Sequence, residues 1–216
     1  MVAVPGYRSA VLAGSSMRDL VIATANMGKF AEIKERLADQ FGRFYSLLDF
    51  CDGNAVTEDQ DSYAENVLKK ARKIGDRFGV NTLADDSGLE VDALQGRPGI
   101  YSARYGKNDA DRIDRLLGEL QEVADRQRGA IFKAYLAFYM PREDRGYLFY
   151  GSIRGSIGHT RCGQGGFGFD PVFYVPELGR CMAELTIEEK NRISHRGKAL
   201  SALKHFLKMG QPAAGV

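Results

Sequence analysis

Two β-rich runs in the middle of the chain, residues 131–140 and 147–157, limit the fold most. Each is long enough to span a sheet, and only a short segment from Pro141 to Gly146 separates them, which predicts an antiparallel hairpin. The sequence before them has a different rhythm. Residues 20–24 are a short apolar run ending in the turn-prone Ala25-Asn26-Met27-Gly28, after which Phe30, Ile33, Leu37 and Phe41 recur at helical spacing. Residues 44–48 offer a second strand and 49–61 a polar, acidic loop. Ser62 and Glu65 then form an S-x-x-E capping box ahead of the stripe Ala64, Val67, Leu68, Ala71, Ile74 and Phe78. Residues 82–84 read as a brief buried strand running into a loop, Asp85-Asp86-Ser87-Gly88. Asp109 can cap a third helix, and a final helix is predicted from Ser194-His195, burying Leu200, Leu203, Phe206 and Leu207. Helices alternating with strands early and long strands later predict an α/β fold: a mixed, elongated sheet flanked by helices, with two lobes and a deep central cleft. Residues 18–209 are expected to form this single domain. Residues 1–17 read as a flexible extension, with translation able to begin at Met17, and 210–216 as a loose tail.

Charge and composition exclude several classes of function. Thirty Lys and Arg against 28 Asp and Glu leave a net charge of +2, with no basic run longer than pairs such as Lys69-Lys70, so a nucleic acid polymer is not an expected partner. The longest apolar stretch, residues 131–140, is interrupted by Lys133 and falls well short of the ~20 residues of a membrane span. The three cysteines, Cys51, Cys162 and Cys181, are odd in number and form no C-x-x-C pair. That pattern fits a reducing, cytoplasmic setting better than a disulfide framework.

Four segments carry possible chemistry. Thr24-Ala25-Asn26-Met27-Gly28-Lys29 lies between a strand and a helix N-terminus, where free N–H groups and Lys29 favour an anion such as phosphate; a purely structural turn is the alternative. Asp85 and Asp86 offer hard oxygen ligands suited to Mg²⁺, with Glu58 as a further ligand, or else bond local backbone. Gly163-Gln164-Gly165-Gly166-Phe167-Gly168-Phe169-Asp170-Pro171 formally contains G-x-G-x-x-G, but Pro171 follows and no helix opens there, so a dinucleotide site is rejected. The same residues suit close approach to a flat base, with Phe167 as stacking face and Asp170 as acceptor for base N–H groups, or a glycine-rich turn over core aromatics. Lys190-Asn191-Arg192-Ile193-Ser194-His195-Arg196-Gly197 brings three cations and a hydroxyl to the predicted start of the last helix, where the dipole prefers acidic groups, which points to an anionic or electron-rich ligand or to a solvated basic face. Together they make up a phosphate turn, an acidic metal site, an aromatic platform and a basic clamp, the parts of a nucleoside triphosphate site.

These residues resemble the Ham1-type inosine/xanthosine triphosphate pyrophosphatases. The resemblance runs from about Leu20 to Leu207 through TANMGK, SYAENVLKKA, ADDSGLEVDALQGRPGIYSARYG, GGFGFDPVF and EEKNRISHRGKAL. It implies Mg²⁺ dependence, a homodimer, and hydrolysis of ITP, dITP and XTP to the monophosphate and pyrophosphate. By matching position it implies that residues 24–29 hold phosphate, that Asp86 is proton acceptor and metal ligand, and that Ser87 contacts substrate. It assigns Phe167, Gly168, Phe169, Asp170, Lys190, His195 and Arg196 to the nucleotide, and Glu58 and Lys70 to the acidic metal position and the helix lysine. Ala25 stands where glycine is usual, Phe169 where tyrosine is common, and Ser62-Tyr63 where Thr-Phe is usual.

On this reading Lys29, Lys70, Lys190 and Arg196 neutralise the triphosphate, Asp86 shares one hollow with Lys29 and Arg196, and Arg196 or His195 donates to the purine 6-oxo group. Rival readings are a pyrophosphatase for modified pyrimidine triphosphates, a non-catalytic nucleotide sensor and an RNA-binding module. The joint presence of Asp86, Lys70 and Glu58 argues against the sensor, and the dispersed charge argues against RNA.

Overall fold

A computed structural model describes residues 18–50 and 60–209; the N-terminal extension with Met17, Cys51, Glu58 and the tail from Gly210 lie outside the described residues. The chain runs β1 (Asp19–Ile22), α1 (Met27–Leu37), β2 (Arg43–Ser46), α2 (Tyr63–Phe78), β3 (Thr82–Val91), α3 (Asp109–Glu119), β4 (Gly129–Met140), β5 (Arg145–Ile157), β6 (Phe173–Val175), β7 (Arg180–Cys181), α4 (Ile187–Ile193) and α5 (His195–Met209), with 3₁₀ turns between. The strands form one mixed sheet in the order β2-β1-β3-β4-β5-β6-β7. β1 is parallel to both its neighbours and the remaining pairs are antiparallel. The predicted hairpin is β4–β5, paired from Met140↔Arg145 to Gly129↔Ser156.

Alternation along the strands sorts side chains to two faces. Leu20, Ile22, Leu83, Leu136 and Phe138 pack against Ile33 and Leu37 of α1 and Leu200 and Leu203 of α5. The neighbouring residues Val21, Ala84 and Ala137 face the other way, onto Val67, Ala71 and Ile74 of α2. A third core, at the far end of the sheet, joins Leu89, Val91, Phe132 and Phe173 to Ile113 and Leu116 of α3.

The structure corrects four expectations. β3 does not stop at Ala84 but continues through Asp85-Asp86-Ser87-Gly88 to Val91. β4 pairs with it along that whole length, from Thr82↔Tyr139 to Val91↔Ala130, and this pairing overrides the poor strand propensity of Asp, Ser and Gly. The final helix starts at His195 as expected, but Lys190 is not at its start: the chain breaks at Ser194, whose hydroxyl accepts from Gly197 N at 3.0 Å, so Lys190 sits on the preceding helix α4 and only His195 and Arg196 open α5. Gly197 permits the close crossing, since a Cβ there would fall 2.0 Å from Asn191 O. Asn108, not Asp109, caps α3, accepting from Asp111 N. Cys162 and Cys181, expected as free thiols, are joined in a disulfide with Cα atoms 6.1 Å apart, which removes the cysteine argument for a reducing compartment. Among the described residues no helix is long and apolar enough to cross a membrane.

Candidate active site

The site begins where β1 ends. β1 pairs with β3 only through Val21↔Thr82 and Ile22↔Leu83, so beyond Leu83 the β1-side edge of β3 opens, and the turn of residues 24–29 lies at that opening. The turn is built locally: Asn26 N donates to Thr24 Oγ1 at 3.1 Å, and Asn26 Oδ1 caps α1 by accepting from Lys29 N at 3.1 Å. Ala25, Asn26 and Met27 are exposed, Gly28 and Lys29 half-buried.

Because β3 continues as a strand, Asp85 and Asp86 point to opposite faces of the sheet. Asp85 faces α1 and α5 with a fully buried side chain. It accepts from Lys29 Nζ, from Arg196 Nε at 2.8 Å and from the Ser87 hydroxyl at 3.1 Å. Burial alone would raise its pKa, but the Arg196 guanidinium and Lys29 ammonium outweigh that and hold the carboxyl well below the usual range. Its oxygens are therefore committed to protein donors, and the expectation of Asp85 as a metal ligand is corrected. Asp86 faces α2, buried, on the side that carries Lys70 and Tyr63. Burial, then the negative charges of Glu90 and Asp86, raise the Tyr63 pKa.

Asp85 belongs to a continuous chain of ions that runs from Lys29 to Asp170. Arg196 Nη1 also donates to Glu32 at 2.7 Å and Nη2 to the Ser87 hydroxyl at 2.9 Å; Lys190 Nζ lies 2.7 Å from Glu32 and 2.6 Å from Asp170. Three cations, Lys29, Lys190 and Arg196, thus meet three carboxylates, Asp85, Glu32 and Asp170. The expected surplus of positive charge for a triphosphate is corrected, since Lys29, Lys190 and Arg196 are each matched by a carboxylate. Glu32 escaped the sequence reading. Its signal was position: it lies one turn after Lys29 and beside Ile33, on the buried side of α1.

Phe167 lies over Lys190 Nζ at 4.6 Å and the Arg196 guanidinium at 5.4 Å. Asp170, expected to meet base N–H groups, lines the site's pocket but is buried and accepts from Phe167 N at 2.9 Å and from Lys190, so it also shapes the turn. Burial raises its pKa, and Lys190 offsets this only in part. Phe169 is 4% exposed and packs into the third core against Tyr105, while it also lines that pocket. His195 stacks on Phe132 with ring centroids 4.7 Å apart, and its Nδ1 is buried with no hydrogen-bond partner among the described residues. Burial, then Arg196, pushes the imidazole pKa down, so the ring is neutral at physiological pH.

One pocket joins Asn26 and Lys29 of the turn to Ser87, Phe167, Lys190, His195 and Arg196. Phe132 of β4, Ser102 of a 3₁₀ turn and Arg112 of α3 also line it and were not singled out from sequence, since a single Phe, Ser or Arg carries no spacing signal of its own. Asp86 and Lys70 are not among its lining residues. Asp86 lies across β3 from that hollow, one residue from Asp85, along the edge that opens beside the turn.

The Ham1 family model matches residues 20–206. A dITP/XTP pyrophosphatase of Geobacter sulfurreducens is 47% identical over 194 residues, 88% of this chain and 97% of that one; one of Geobacillus kaustophilus is 47% identical over 190 residues, 87% of this chain and 93% of that one. Among solved structures, a HAM1 protein from Coxiella burnetii aligns with a TM-score of 0.78 at 36% identity, covering 89% of this chain and 99% of its own.

Proposed function

The chain belongs to the Ham1 family, and we propose that it hydrolyses non-standard purine nucleoside triphosphates, ITP, dITP and XTP, to the monophosphate and pyrophosphate. The observation that carries this reading is the neutral, buried His195, with an unpartnered ring nitrogen, inside a pocket that runs from an aromatic face to an anion-binding turn. Curated relatives named dITP/XTP pyrophosphatase, similar over nearly the whole chain, support the same substrate class.

The purine lies against Phe167. Arg196 spends its guanidinium on Glu32, Asp85 and Ser87, so the base-facing donor is His195, with Nδ1 protonated toward the 6-oxo group. An adenine 6-amino group would face a donor with a donor, and an unmatched buried donor costs ~1–3 kcal/mol. The phosphates run along residues 24–29 toward the opening in the β3 edge. There Asp86 orients a water and takes its proton as the water oxygen attacks the α-phosphorus, and the bond from that phosphorus to the bridging oxygen breaks to release pyrophosphate. Lys70, on the α2 side with Asp86, stabilises the charge that develops.

Asp86 fits a hard divalent cation by its chemistry, and because the ion girdle brings no net charge, such a cation and the turn's N–H groups would neutralise much of a triphosphate. Mg²⁺ held by Asp86 with Glu58 would supply Lewis-acid polarisation of the phosphates and charge neutralisation. A second copy of the chain is proposed to cover the apolar strip of Leu68, Leu148 and Tyr150, exposed on the α2 side of the sheet; Tyr150→Asp should then shift the protein from dimer to monomer in light scattering. We place the enzyme in the cytoplasm, with the nucleotide pool it acts on. Pyrophosphate release from ITP, dITP, XTP, ATP and GTP, with and without Mg²⁺, tests the whole. Rapid release from the first three with Mg²⁺ is expected; equal rates with ATP, or full rates in chelator, would overturn the base or the metal assignment respectively.

A further inference from the structure

The turn that presents Phe167 is tied at two consecutive peptide nitrogens, and only one tie belongs to the ion girdle. Phe167 N donates to Asp170, which Lys190 holds. Gly168 N donates to Asp109 Oδ2 at 2.7 Å, a contact across fifty-nine positions of sequence to the first turn of α3. Neither capping nor burial accounts for the Asp109 carboxylate: Asn108 caps the helix, and the Asp109 side chain is about half exposed, at 46%. Its other oxygen accepts from Arg112 Nη1 at 2.6 Å, and Arg112 Nη2 donates in turn to Ala103 O. Ala103, Arg112 and Gly168 all line the pocket. Gly168 itself has a positive φ of 62°, and a Cβ there would meet nothing within 4 Å, so no side chain crowds the turn at the point where the hydrogen bond ties it.

We propose that Asp109, braced by Arg112, is a positioning residue for base recognition: by fixing Gly168 it sets the plane of Phe167 against the purine. The proposal rests on the pocket taking a purine nucleotide as above. Among the described residues Asp109 pairs with Gly168 and Arg112 and not with the turn of residues 24–29 or Asp86, so its loss should weaken recognition of the base and spare the chemical step.

The test compares wild type, Asp109→Ala and Asp109→Asn with dITP as substrate and inorganic triphosphate, which has no base, as competitive inhibitor. Asp109→Ala should raise KM for dITP roughly tenfold, the worth of one hydrogen bond to a charged acceptor, with kcat within about twofold. Inhibition by inorganic triphosphate should be unchanged. Asp109→Asn keeps an oxygen for Gly168 N and should recover KM to within about threefold of wild type. An unchanged KM in Asp109→Ala overturns the proposal. So does a loss of kcat and of triphosphate affinity in step with KM, because a general loosening of the fold would do that. A wild type inactive on both dITP and XTP would overturn the functional reading itself, whereas an active wild type with an indifferent Asp109→Ala overturns the positioning role alone.

Discussion

The two faces of β3 treat adjacent aspartates in opposite ways. On the α1/α5 face, Asp85 has no exposed side-chain surface and is matched by two cations and a hydroxyl. On the α2 face, Asp86 lies where β1 has left the sheet, beside the helix that bears Lys70. The pairing of strands supplies this division at no extra cost in sequence, since consecutive strand residues must diverge. One carboxylate organises cations for the life of the fold, and the other is the one to which the proposed chemistry is assigned.

The largest expected effect tests the sealed face. Asp85→Asn leaves Arg196 and Lys29 short of a buried counter-charge and should cost about 3–5 kcal/mol, read as a fall in urea midpoint. A variant as stable as wild type would mean that the girdle is dispensable. The contrasting change, Asp86→Asn, should leave the urea midpoint nearly in place but cut kcat by ~10²-fold or more in the pyrophosphate assay. Near-normal turnover there would remove Asp86 from the chemistry and dissolve the contrast.

Acid should act on the sealed face in two steps. His195 is held neutral by burial, so as pH falls below its ordinary value near 6.5 the unfolded chain binds a proton that the folded one refuses. Stability should drop by at most about 1.4 kcal/mol per pH unit there, and His195→Gln should flatten that segment of a stability–pH curve. Asp85 and Glu32 have depressed pKa values, the pull of Arg196 and its partner cations exceeding the burial that opposes it. Their contribution is present above the ordinary carboxylate range and is lost only as pH falls below about 4, so that limb should survive in His195→Gln.

Patterning made the hairpin, the α2 cap at Ser62 and the helical stripes readable from sequence, because each rests on short-range spacing. The run of β3 through Asp85-Asp86-Ser87-Gly88 was not, since its strand state comes from β4, more than forty residues later in the chain. The same holds for the site. Lys29, Lys190, His195 and Arg196 do converge on one pocket. That Arg196 answers to Glu32 and Asp85, or that Asp170 turns inward to Lys190, depends on which buried charges meet, and spacing does not encode that. Glu32 hid inside an ordinary amphipathic helix for the same reason.

Gly28 and Phe167 touch: a Cβ at position 28 would come within 2.6 Å of the Phe167 ring. The segment that greets the phosphates and the ring that greets the base therefore share a boundary with no side chain in between. Any bulk added at 28 must push the ring, which makes this glycine a ruler for the nucleotide, setting how far apart its two ends can be gripped.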